Sequence, residues 1–214
     1  MNVQTATWKK LFFSELFLSK SAGQRLAYIA VAAALSVVSN MFLEIKFADV
    51  QFSFTIVVSA IVGILLGPLG GFAACYIGDL AGYLYNSWGY IYMPWVGLST
   101  AMLAFLGGLV MNIRFSFRGA LWVKLALVCV VSLLVCTIGI NSTGFYFYNR
   151  ALGFSDAVID YVSSRFGTGV GYFGYLAYRL FFKGQIFNSL ANFALLFAVV
   201  PLLNGIKPLK IEIK

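Results

Sequence analysis

The chain has 214 residues, of which 61% are hydrophobic and only 10% charged, with a formal net charge of +8 and no histidine. Such a composition lies outside the range of water-soluble domains, makes a lipid bilayer the natural solvent and excludes a sizeable soluble domain. Without imidazole the chain also lacks the commonest general base and the commonest metal ligand.

Residues 1–25 precede the first apolar run and are expected as a cytoplasmic or interfacial segment. Trp8, Leu11, Phe12 and Leu16 recur there at helical spacing with Lys9 and Lys10 opposite, which suits a helix in the membrane interface or else a solvated tail. No small-x-small cleavage pattern follows, so the first apolar run is expected to stay in place. Apolar runs over 26–43, 52–66, 70–85, 94–111, 121–140 and 180–203 predict an all-α membrane protein of six transmembrane helices. They form one domain over 26–206, followed by a cytoplasmic tail at 207–214.

On the first helix Ala27, Ala30 and Ala34 share a face that admits close approach of another helix, from the bundle or from a partner protein. Between the second and third helices Gly67-Pro68-Leu69-Gly70 predicts a tight turn, with Gly70 taking the backbone angle that the reversal needs. The third helix repeats Gly71, Cys75, Gly78 and Gly82 as a small-residue stripe. Asp79 falls roughly 13 Å along that helix at 1.5 Å per residue, near mid-bilayer. A carboxylate there is costly unless paired or wet, so Asp79 either lines a cavity floor or accepts an interhelical hydrogen bond. The next connection, 86–95, carries no charge but four aromatic rings, Trp88, Tyr90, Tyr92 and Trp95, and Gly89 and Pro94 shape it as a defined lid.

The connection over 141–178 is too long for a turn. It opens on Asn141-Ser142-Thr143-Gly144 and an aromatic run at 145–148, then offers Ser155 as the N-cap of a short outer helix ending near Gly167. A flexible stretch of glycines and aromatics over 169–175 leads to the last helix. There Gln185, Asn188, Ser189 and Asn192 form a polar stripe that must face the bundle, with Arg179 and Lys183 at its outer end. Cys75, Cys129 and Cys136 lie inside predicted spans as small apolar residues, and no metal or other cofactor is expected.

Orientation follows from the cations. Lys9, Lys10, Lys20, Arg25, Arg114, Arg118, Lys124, Lys207, Lys210 and Lys214 fall on one side, which places both termini in the cytoplasm. The net charge is thereby an orientation signal and not a mark of nucleic-acid binding. An enzyme is not expected: there is no P-loop, no activated nucleophile and no carboxylate pair at catalytic spacing. Binding or transport remains, with any ATP hydrolysed by another subunit.

Two segments carry a resemblance. Gly63-Ile-Leu-Leu-Gly67-Pro68-Leu-Gly70-Gly71 and Gly78-Asp79-Leu80-Ala81-Gly82-Tyr83-Leu84 resemble the second and third helices of the S components of energy-coupling factor vitamin transporters, nearest to the folate-type branch. Ala30 and Ala34 are similar to the motif by which that family docks onto its coupling subunit. The resemblance implies a multi-pass protein of a prokaryotic plasma membrane, surrounded by lipid. It implies that a vitamin is captured from outside and passed inward together with a transmembrane coupling subunit and two ATPase subunits.

Met93-Pro94-Trp95 stands where folate-type members carry Phe-Pro-Gly, and the outer side balances Lys46, Arg150, Arg165, Arg179 and Lys183 against Glu44, Asp49, Asp156 and Asp160. Cobalamin is therefore favoured as the ligand, with folate or another B vitamin as the alternative. The expected site has Asn86, Trp88, Tyr90, Tyr92, Met93, Trp95 and Tyr146 as its cover, Asn188 and Asn192 at the ligand edge, and Lys46, Arg179 and Lys183 for an anionic group. Two readings of other classes stay open, a secondary transporter and a membrane assembly factor.

Overall fold

The computed structural model describes residues 9–41, 44–47, 50–85, 91–113, 115 and 117–206, with side chains for all of these but 40, 41, 44–47, 50 and 51. A helical turn at 9–12 and α1 (Glu15–Leu18) lead into α2 (Ala22–Met41). A hairpin of β1 (Glu44–Phe47) and β2 (Val50–Ser53) follows, then α3 (Thr55–Leu66), α4 (Pro68–Tyr85) and α5 (Pro94–Asn112). Next comes α6, unbroken over Ala120–Leu152, followed by α7 (Asp156–Phe166), α8 (Tyr172–Ala177) with a π-helical continuation Tyr178–Phe182, and α9 (Gln185–Asn204).

Four of these helices combine the length and apolarity to cross a membrane: α2, α5, α6 and α9. The 12-residue α3 extends about 18 Å at 1.5 Å per residue, short of a hydrocarbon core of about 30 Å. An all-α membrane protein is the right class, with one exception at the hairpin. Its antiparallel register pairs Glu44 with Ser53 and Lys46 with Gln51. Ile45, Phe47, Val50 and Phe52 alternate there with polar residues, a period-2 pattern that makes no continuous apolar run.

Packing is tightest where α3, α4 and α5 meet. A Cβ on Gly63 would lie 1.9 Å from the Ala104 carbonyl oxygen, one on Gly71 2.7 Å from Gly63 Cα, and one on Gly108 2.6 Å from the Gly63 oxygen. Backbone therefore touches backbone, and no flexible side chain can yield. Gly63→Ala is expected to destabilise the protein by about 3 kcal/mol, near the top of the overpacking range, measured by thermal unfolding in detergent. Gly23→Ala, with nothing within 4 Å, is the control and leaves the midpoint unchanged or slightly raised.

The turn between α3 and α4 falls on Gly67, whose φ is 84°. Gly70, expected to absorb the reversal, is already helical, because Pro68 opens α4 at the first position, where a missing N–H costs nothing. The stripe along α4 receives α2: a Cβ on Gly78 would meet Ser36 Cβ at 2.7 Å and the Ala33 oxygen at 2.8 Å. Ala32, Ser36 and Ser39 of α2 are buried, while Ala27, Ala30 and Ala34 are exposed.

Over its described part the N-terminal segment is two short helical turns, broken at Phe13 and Ser14, and not one continuous helix. The Ser14 amide donates to the Leu66 oxygen, Asn112 Nδ2 donates to the Lys10 and Leu11 carbonyls, and Leu16 and Phe17 are buried. Its two helical turns are thus docked beneath the Gly67 turn. Trp8 lies outside the described residues.

Three boundaries differ from expectation around 141–185. The fifth helix does not stop at 140, and the 145–148 aromatic run is helical. Ser142 and Thr143 bond with their hydroxyls to the Thr137 and Ile138 carbonyls five residues back, so a sequence that reads as a loop is absorbed into a π-helical stretch, Ser132–Ser142. The stop comes at Gly153, with φ 102°. Ser155 and Gly167 do bound a short helix, α7. The 169–175 stretch is not a flexible linker, since Tyr172 and Tyr175 of α8 pack with Tyr146 and Phe154 in an aromatic cluster. The last helix starts at Gln185 and not at 180, after Gly184 with φ 67°.

Candidate binding cavity

The polar stripe of α9 and the start of α3 are joined by side-chain bonds. Asn192 is 1% exposed; its Nδ2 donates to the Ser53 oxygen at 2.7 Å and to the Asn188 oxygen at 2.8 Å, and its Oδ1 accepts the Val57 N–H at 3.1 Å. Asn188 Oδ1 accepts the Ser53 amide at 3.0 Å. Unbonded backbone donors at the start of α3 are capped in this way by a neighbouring helix. Both N–H groups of Asn192 are engaged, which makes it a fastener between α9 and the hairpin.

Above this fastener lies a cavity of about 640 Å³, in the size class of small-molecule sites. One region of its lining comes from β2, α3, α4 and α5: Ser53, Thr55, Asp79, Val96, Ser99 and Thr100. A second region comes from α6 and α8, with Asn141, Phe145, Tyr175, Tyr178 and Arg179. Lys183, Gln185, Asn188 and Ser189 complete it at the head of α9.

Asp79 Oδ2 accepts the Tyr92 hydroxyl at 3.2 Å, and Tyr92 stacks at an angle on Tyr83, 5.0 Å between centroids. Gly97 makes room for this pair, since a Cβ there would sit 2.5 Å from Asp79 Oδ2 and 2.7 Å from the Tyr92 oxygen. Arg179 lays its guanidinium over the Phe145 ring, 4.2 Å from the centroid. Desolvation lowers the pKa of this guanidinium from its ordinary value, yet the group stays charged. Lys183 Nζ stands 5.9 Å from the Tyr178 centroid.

Three polar atoms among the lining residues are buried without a hydrogen-bond partner: Asn141 Oδ1, Arg179 Nε and Ser189 Oγ. Leaving such groups unmade costs about 1–3 kcal/mol each, more for charged ones. A ligand that supplied an acceptor to Arg179 and a donor to Asn141 would recover that cost.

Of the expected site residues, Asp79, Arg179, Lys183 and Asn188 line this cavity. Trp95 does not: its ring packs edge-on to Phe145 at 5.7 Å and covers Gly144, with its Nε1 buried and unpartnered. Tyr146 sits in the aromatic cluster behind the lining, and Met93 is the residue before α5. Asn86, Trp88 and Tyr90 lie outside the described residues, as does the side chain of Lys46, whose backbone pairs in β1. Gly78 and Gly82 are buried packing positions on α4. Asn141, Phe145, Thr100, Tyr175 and Tyr178 escape the sequence reading; a lone Asn at the end of an apolar run was the available signal for the first.

An apolar helical bundle holding a polar, ring-walled cavity near the ends of its helices is the architecture of a membrane protein that binds a small molecule. Over residues 20–179 the sequence matches the family described as ECF-type riboflavin transporter, S component, and the chain belongs to that family. No curated protein matches it. S components are substrate-binding subunits of transporters and not enzymes, and they work with a coupling subunit and ATPase subunits. The resemblance seen in the sequence holds at this level, but the branch named is the riboflavin one and not the folate type.

Proposed function

We propose that this chain captures riboflavin at the cavity and delivers it inward as the S component of an importer. The family match supports the flavin, and the cavity carries the reading. A flavin is a flat fused ring with a dione edge and a polyol tail. Phe145, Tyr175 and Tyr178 offer ring faces, while Arg179 Nε and Asn141 Oδ1 offer the donor and the acceptor that a dione edge with its imide N–H requires. Riboflavin replaces cobalamin as the favoured ligand because the family match names it, and Asn192, expected at the ligand edge, is engaged internally.

In the proposed topology α2, α3, α4, α5, α6 and α9 cross the membrane, with the short α3 shielded by its neighbours and both termini in the cytoplasm. The cavity then opens to the outside. Purified protein is expected to carry or take up riboflavin, seen as the flavin absorption spectrum and as quenching of flavin fluorescence. Binding of cobalamin or folate in place of riboflavin overturns the ligand. Flavin transport by the chain alone in liposomes overturns the role.

A further inference from the structure

We infer that Asp79 recognises the polyol of the ligand and rejects the corresponding phosphate ester; this deepens the flavin reading and rests on it. The lining differs by element. The end of α6 and the α8 segment bring Phe145, Tyr175, Tyr178 and Arg179, with Arg179 lying on Phe145. A flat ring bearing carbonyls belongs there, because it can stack and can accept from the buried guanidinium. The tail is thereby directed to the region supplied by α4 and α5.

On α4 and α5 the lining side chains present acceptors. Ser99 Oγ already donates to the Cys136 carbonyl at 3.0 Å, Thr100 Oγ1 to the Gly97 carbonyl at 2.9 Å, and the Tyr92 hydroxyl to Asp79. Each of these hydroxyl protons is used, so Ser99 and Thr100 face a ligand with lone pairs. Asp79 adds a carboxylate with about four acceptor sites. Tyr92 fills one of them, and among the described residues no basic side chain lies within 4.0 Å of Asp79. Gly97 shows that the carboxylate's position is built, since any side chain there would displace it.

The matching ligand fragment is one that only needs to donate, and a run of hydroxyl groups does so. A phosphate monoester offers acceptors and negative charge, and it meets lone pairs and a carboxylate. Substrate selection then rests on charge repulsion at a single side chain.

The test uses the purified full chain in detergent and three probes, read by fluorescence quenching: riboflavin, riboflavin 5′-phosphate, and lumichrome, which has the ring without the tail. The unaltered chain is expected to prefer riboflavin over the ester by roughly 100-fold. Asp79→Asn weakens riboflavin by about tenfold, through loss of charge-assisted bonds, and shrinks the preference to tenfold or less. Lumichrome binds both proteins equally, which shows that the ring pocket is intact. An unchanged preference in Asp79→Asn overturns the inference, as does a fall in lumichrome affinity parallel to that of riboflavin. If Asp79→Asn does not fold, Asp79→Glu is measured: it weakens riboflavin but still rejects the ester, and acceptance of the ester overturns the inference. Failure of the unaltered chain to bind any of the three instead overturns the flavin reading, and this inference with it.

Discussion

Arg179→Met lowers riboflavin affinity about 10- to 100-fold, the range expected for losing hydrogen bonds from a buried charged donor. The ligand-free protein should barely notice the change. Its Arg179 Nε is buried without a partner, so removing the guanidinium deletes an unsatisfied donor, along with the contact to Phe145 and a hydrogen bond with Tyr175. The unliganded unfolding midpoint is expected to stay within about 1 kcal/mol of the original, while the added stability conferred by saturating riboflavin shrinks. Arg179→Lys does not restore binding, because a compact ammonium cannot stack on Phe145 and present a fixed fork at the same time. Titration by fluorescence together with melting curves checks both halves. Equal affinity in Arg179→Met removes this residue from the site, and a collapsed unliganded fold reassigns it to structure.

Ala34→Trp abolishes riboflavin uptake while leaving riboflavin affinity within about twofold, as expected for a bulky residue on a face that packs against another helix. Ala27, Ala30 and Ala34 turn away from the bundle; Ala32, Ser36 and Ser39 are the ones that face α4. A large ring on the exposed face therefore disturbs no internal contact and sits well in lipid, but it holds a partner helix away. Copurification with the coupling subunit and vitamin-dependent growth are the readouts. Leu190→Trp, at a 56% exposed position on α9, is the control and keeps both. Normal growth of the Ala34→Trp strain moves the docking surface elsewhere.

How much of this was readable beforehand can be traced residue by residue. Ser155 and Gly167 marked a short helix correctly, since its ends are local events: the Ser155 backbone oxygen accepts the first helical N–H groups, its side chain making no cap bond, and Gly167 takes the left-handed stop. The α4 stripe was equally legible: Gly71 and Gly78 serve the close approach that their spacing announced. Asn141 to Gly144 misled, since their turn-forming hydroxyls bond back along the helix and a long π-helical stretch has no local signature. The site was harder still. Arg179 and Asn188 stand out in the sequence as polar groups in an apolar chain, but Asn192 stands out in the same way and is bonded internally. Its partners, Ser53 and Val57, lie more than 130 residues away in the chain.

Composition and spacing alone settled the solvent of this protein and its helical class, because these depend on how many polar groups the chain carries and at what period. Which polar groups remain unbonded was decided only in three dimensions. Asn192 and Asn141 are the same residue type, both set in apolar helices, but neighbouring backbone saturates the first, whereas Asn141 Oδ1 is buried facing no partner. That difference arises from how α3, α6 and α9 pack, and it is what makes Asn141 a candidate ligand contact and Asn192 a structural fastener.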